Sequence, residues 1–200
     1  MKYYILAGHG KNTKGKRSPN LEIGFLEYEH NRLIAHGLEY QLQLLGIDCE
    51  FVNPGPIEIS LNDKVRFLNY EHARNDICSI AIHSNAMGAG KWHTASGSRI
   101  FIPKQPWMPK KLKLWKVSRD LGRSIQNSFI DSNTVPYHSR PMLESGLWMV
   151  HKPKCPCVLI EYGFHTNKQD VAWMKSEQGQ RQIVKTITEG VVFFNDRIVK

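Results

Sequence analysis

The chain has 200 residues, 41% hydrophobic and 22% charged, with Lys+Arg 27 against Asp+Glu 18 and a formal net charge of +9. That balance excludes a disordered chain. No apolar run approaches the roughly 20 residues needed to cross a bilayer, and Cys 4 is too few for a disulfide scaffold.

The elements follow in chain order. Tyr3-Tyr4-Ile5-Leu6-Ala7 is a short apolar strand, too short for a signal-peptide core of about 7–15 residues. It runs into Gly8-His9-Gly10, and a polar loop follows over residues 11–20. Leu33, Ile34, Leu38, Leu42 and Leu45 recur at helical spacing, predicting an amphipathic helix over residues 27–45 that Gly46 ends. Residues 47–52 read as a second strand and 62–75 as a second helix. A buried strand over 77–82 runs into His83, and another follows over 99–102. Residues 112–129 form a helix with Leu114, Val117, Leu121, Ile125 and Phe129 on one side. Val158-Leu159-Ile160 is a continuous apolar strand ending at Glu161, and the last helix covers 180–194. The alternation predicts one α/β domain over residues 1–200. Its sheet is expected to be mainly parallel, with about six strands and helices on both faces.

Ligands of such folds bind at the carboxyl ends of the strands, and His9, His83 and Glu161 each stand just past an apolar strand. A catalytic zinc takes three protein ligands from His and carboxylates and keeps a position open. His9 and His83 supply two imidazoles; Glu22, Glu27 and Glu29 are all available as the carboxylate. Glu161 is a separate carboxylate suited to accept a proton from water.

These residues resemble a family. Ile5-Leu6-Ala7-Gly8-His9-Gly10 is similar to the opening motif of the zinc-dependent N-acetylmuramoyl-L-alanine amidases of the amidase_3 type. Glu27-Tyr28-Glu29-His30-Asn31 is similar to that family's Glu-x-x-x-Asn helix start, and Ile82-His83-Ser84-Asn85-Ala86 to its His-Ser/Ala-Asn-Ala segment. Ala95-Ser96-Gly97 resembles a later Ser-Gly stretch. The strongest likeness is residues 158–167, Val-Leu-Ile-Glu-Tyr-Gly-Phe-His-Thr-Asn, with Asp170 after them. The resemblance implies His9, Glu27 and His83 as ligands of one zinc ion, and Glu161 as the carboxylate that moves the proton from the attacking water to the leaving amine. The implied reaction is hydrolysis of the amide between N-acetylmuramic acid and L-alanine in peptidoglycan. The loop between His9 and Glu27 departs from the pattern: Lys11, Lys14, Lys16 and Arg17 replace its Asp-Pro-Gly piece, so Glu22 and Glu29 stay open as ligands.

Rival readings are weaker. Gly10 to Arg17 has the Gly-x4-Gly-Lys spacing of a phosphate loop, but Arg17 stands where Ser or Thr would hold Mg²⁺. A nucleic-acid binder accounts for the charge and leaves His9, His83 and Glu161 without a role. A non-catalytic peptidoglycan-binding relative has no support while Glu161 is present. The expected partner is therefore peptidoglycan rather than nucleic acid. The protein is expected to be a monomer acting on the bacterial cell wall, without a separate wall-binding module or transmembrane segment. A phage endolysin released from the host cytoplasm through a holin fits, as does a bacterial wall hydrolase. Trp115 and Trp173 are expected in the core, while Trp92, Trp107 and Trp148 lie in or near loops. Cys155 and Cys157 are expected as small buried residues sharing a face of one strand, and His30 and His36 as surface residues. Residues 87–94 read as a surface loop, mobile or facing substrate; His165, Arg140 and Glu144 are candidates for touching substrate or its peptide stem.

Overall fold

The computed structural model describes residues 1–106 and 108–198, which leaves Trp107 outside the described residues. The strands are β1 (Lys2–Ala7), β2 (Cys49–Phe51), β3 (Ile77–Asn85), β4 (Ser98–Pro103), β5 (Tyr137–Ser145) and β6 (Cys157–Phe164). The helices are α1 (Glu27–Leu44), α2 (Leu61–His72), α3 (Pro109–Asp131), α4 (Trp148–His151), α5 (Lys168–Lys175) and α6 (Glu177–Ile198). All six strands join one sheet in the order β2-β1-β3-β6-β4-β5. Every neighbouring pair is parallel except β4–β6.

The apolar strands are continuous because both sheet faces are covered. On one face Ile5, Ile80, Ile82 and Ile160 pack with Ile34 and Leu38 of α1, Leu121 and Ile125 of α3, and Ile183 and Ile187 of α6. On the other, Leu6, Ala81 and Leu159 meet Leu68 of α2 and Met149 and Val150 of α4. Burying each of these aliphatic side chains contributes roughly 1.5–3 kcal/mol before the entropy of ordering is charged against it. Local chemistry sets the ends of elements. Ser60 caps α2 by accepting from the Asp63 N–H at 3.1 Å. Gly46, with φ 71, closes α1 as the Ile47 N–H reaches back to Leu42 O at 3.0 Å.

Some expectations change. Cys155 lies just before β6, though it and Cys157 are both buried free thiols in the same apolar cluster. Trp115 is buried, and Trp173 packs half-buried against the core. His36 is exposed as expected. His30 is not: it is half-buried with its ring stacked on Phe25, centroids 4.1 Å apart.

Candidate functional site

His9 follows β1, His83 lies within β3, and Glu27 opens α1. One ligand atom from each falls within 4.8 Å of the others. Glu27 is 1% exposed, whereas Glu22 and Glu29 are exposed to solvent. Asn20 binds Glu22, and the Tyr28 hydroxyl donates to Glu29 at 2.7 Å. Neither joins the cluster.

Backbone and side-chain contacts fix each member. His9 has φ 58, a left-handed conformation in which His is tolerated. The buried Arg32 holds that turn by donating to the His9 carbonyl at 2.8 Å and to Gly55 O at 2.7 Å. Gly8 allows the strand end to pass the His83 ring: a Cβ there would lie 2.1 Å from Cε1. Glu27 Oε1 accepts from the Ser84 N–H at 3.2 Å and from Asn31 Nδ2 at 3.3 Å. Asn31 in turn accepts from the Tyr162 hydroxyl at 2.9 Å.

The electrostatics suit a cation. Glu27 Oε1 lies 3.3 Å from His83 Nδ1 and 3.7 Å from His9 Nε2. Burial alone would raise the Glu27 carboxyl, but the facing imidazole of His83, helped by His9 and His165, holds it below the ordinary range. Burial pushes His9 down to about 4, which leaves its imidazole neutral and able to ligate. Glu27 Oε2 is buried and makes no hydrogen bond to the described residues. Such an atom in a native core calls for a partner. The set His, Glu, His matches the donors of catalytic zinc sites. The residues therefore fit the ion.

Glu161 lies on β6, in register with His83 on β3 and with Arg99 on β4. Its Oε2 is likewise buried without a partner among the described residues. Burial lifts its carboxyl to about 7, with Glu27 adding to the rise and His83, Lys16 and Arg99 opposing it. A carboxyl poised near neutrality exchanges protons readily.

Two further residues, Glu58 and Lys64, carry no signal in the sequence, and His165 takes a place other than the one expected. Glu58 Oε2 stands 3.8 Å from His9 Nδ1, and the buried Lys64 ammonium donates to Glu58 Oε1 at 2.8 Å. His165 does not face outward as a substrate contact: it is 2% exposed, 3.8 Å from Glu27 Oε2 and 2.9 Å from the Ser84 hydroxyl. Glu58 and Lys64 come from a loop and from α2, remote in sequence from His9, so spacing could not reveal them.

Other motif residues are structural. Asp170 accepts from the N–H groups of Gly97 and Phe164, each at 2.8 Å, and so ties the Ser-Gly stretch to the end of β6. The loop at 87–94 is largely exposed, anchored by the His93 N–H to Thr166 O at 2.8 Å, and Trp92 packs against the core. Trp148 is 42% exposed at the start of α4. Glu144 is exposed and accepts from the Gln105 N–H at 3.2 Å. A groove of about 590 Å³ between α1 and α6, lined by Leu33, Tyr40 and Val184, contains none of the strand-end residues.

Comparison with known proteins now bears on this geometry. The family described as N-acetylmuramoyl-L-alanine amidase matches residues 4–192. The structure is similar to the N-acetylmuramoyl-L-alanine amidase of Clostridium difficile 630, with 25% identity, a TM-score of 0.82, and coverage of 98% of this chain and 96% of that one. It also resembles the catalytic domain of an endolysin targeting Clostridia difficile, with 21% identity, a TM-score of 0.68, and coverage of 96% and 97%. That second likeness speaks for the fold. YqiI, an uncharacterised protein of Bacillus subtilis (strain 168), is 25% identical over 194 residues, covering 97% of this chain and 84% of that protein.

Proposed function

This chain belongs to the N-acetylmuramoyl-L-alanine amidase family, and we propose that His9, Glu27 and His83 hold its zinc while Glu161 moves the proton. The reaction is hydrolysis of the amide between N-acetylmuramic acid and L-alanine in peptidoglycan. The observation that carries the residue roles is the convergence of the three ligand atoms within 4.8 Å beside a carboxylate in register with His83.

Zinc, when bound, supplies a Lewis acid that activates water near neutral pH and polarises the amide carbonyl. The chain's own residues do the rest. His9 and His83 present imidazoles from two neighbouring strand ends, and Glu27 adds the negative charge from the first turn of α1. Glu58 orients His9, as carboxylates behind ligating histidines generally do. Glu161, lifted towards neutrality by burial, takes a proton from the attacking water and returns it to the leaving amine. Among the described residues no helix is long and apolar enough to cross a membrane. The site of action is the bacterial cell wall, reached as a phage endolysin or as a bacterial wall hydrolase, by a monomer that does not engage nucleic acid. The charge of +9 attracts the protein to the anionic wall. Metal analysis of the purified protein, followed by chelation, tests the assignment. About one zinc per chain and loss of lysis on chelation are expected; full lysis by metal-free protein would contradict it.

A further inference from the structure

Arg99 is the register partner of Glu161 across β4 and β6. His83, Glu161 and Arg99 thus form one row across three adjacent strands. Beyond Arg99 the sheet is irregular. Ser98 pairs with Tyr137 and Ile100 with Met142, so residues 138–141 of β5 bulge out opposite Arg99. Bulges of this kind re-aim side chains beside active sites. Gly97, with φ 89, allows the two strands to press together there: a Cβ would lie 2.5 Å from the Tyr137 carbonyl carbon.

The bulge gathers cationic groups. Arg99 Nη2 meets the nitrogen edge of the His138 ring at 2.6 Å, and the Arg140 N–H donates to His138 Nδ1 at 3.0 Å. Among the described residues neither Arg99 nor Arg140 has a carboxylate within 4.0 Å. Arg99 Nε is buried without a hydrogen-bond partner, while Arg140 is exposed. The positive charge of Arg140 acts against that of Arg99, and planar guanidinium forks match a carboxylate that would offset both.

We propose that Arg99 and Arg140, brought to one place by the bulge at His138, form a subsite for a free carboxylate of the peptide stem. The inference rests on the amidase reading, since it needs the scissile bond beside Glu161. Dimensions agree. Adjacent strands lie about 4.8 Å apart, so β5 stands roughly 10 Å from β6. The free α-carboxylate of an iso-linked glutamate at the second stem position lies about two residues, or roughly 7 Å, from the bond to L-alanine, and the free carboxylate of the third residue lies further along the stem. Long guanidinium arms cover either span.

The test uses four muramoyl peptides, with D-isoglutamate or D-isoglutamine second and a free or amidated diaminopimelate third. The wild-type enzyme should prefer the free acid at one position by about 10- to 100-fold in kcat/KM, the range of a hydrogen bond to a charged group. The position that matters identifies the carboxylate bound. Arg140→Gln should bring that ratio close to one, chiefly through KM, and Arg140→Lys should retain part of it. Calorimetry with the free stem peptide should show the same weakening without turnover. Equal cleavage of all four peptides by wild type, or a wild-type ratio in Arg140→Gln, would overturn the subsite and leave the amidase reading intact. Cleavage of none would overturn that reading and the subsite with it.

Discussion

Gly8 and His83 are in contact across neighbouring strands: the Gly8 N–H donates to Ile82 O at 2.8 Å, and a Cβ on Gly8 would clash with the His83 ring, 2.1 Å from Cε1 and 2.3 Å from Nδ1. The two histidine rings then meet edge to face, centroids 5.1 Å apart. Parallel pairing of β1 with β3 brings this about, because Ala7 opposite Ile82 places the next residues side by side. Gly8→Ala should therefore displace His83 from the cluster. The expected result is a lower zinc content at unchanged secondary structure, measured by metal analysis beside circular dichroism. A fully loaded Gly8→Ala protein would refute the tight approach.

Glu58 is held by three contacts: Lys64 Nζ at 2.8 Å, the Thr13 hydroxyl at 3.0 Å, and a backbone N–H bond to Asn12 Oδ1 at 2.9 Å. Its second oxygen faces His9. Glu58→Gln should weaken zinc binding by about 10- to 100-fold, measured by competition with a fluorescent chelator. Wild-type affinity would remove Glu58 from the support of His9.

His30 gives stability a dependence on pH. Burial, with Lys175 adding and Glu29 opposing, lowers it from 6.5 to about 4, and its Nδ1 has no partner among the described residues. The unfolded chain binds the proton first, so stability is fully present above about 6.5 and is lost as pH falls towards about 4. His30→Phe keeps a ring against Phe25 and removes the titration. Its Tm should fall less steeply than that of wild type across this window; parallel profiles would exclude the effect.

With a charge of +9, attraction to an anionic wall should weaken as salt rises, because the Debye length shrinks from about 10 Å at 0.1 M to about 3 Å at 1 M. Turbidity clearing should slow over this range, while cleavage of a small soluble muramoyl peptide should change much less. An equal loss on both substrates would place the salt effect elsewhere.

The strand-end residues were legible because an apolar run into His or Glu is a positional signal that the α/β rule interprets. Three carboxylates stood open beside His9 and His83, and burial separated them: only Glu27 turns inward from the first turn of α1. Glu58 was invisible, since nothing in its spacing reveals that a separate loop brings it to His9, and the sequence marks His165 without showing that it lies buried beside Glu27. Strand β5 was missed for a different reason. It is an edge strand with no fully buried residue, interrupted by Pro141 and a bulge, and so shows no apolar alternation. The eight-residue helix α5 is too short to display a helical period.

The most direct test is the lytic activity of Glu161→Ala protein carrying its metal. Glu161 is no member of the cluster formed by His9, Glu27 and His83, so the variant should keep about one zinc per chain. Loss of the proton-transferring carboxylate should lower the rate of muramoyl-peptide hydrolysis by about 10²- to 10⁴-fold. Full activity in zinc-loaded Glu161→Ala protein would contradict the mechanism.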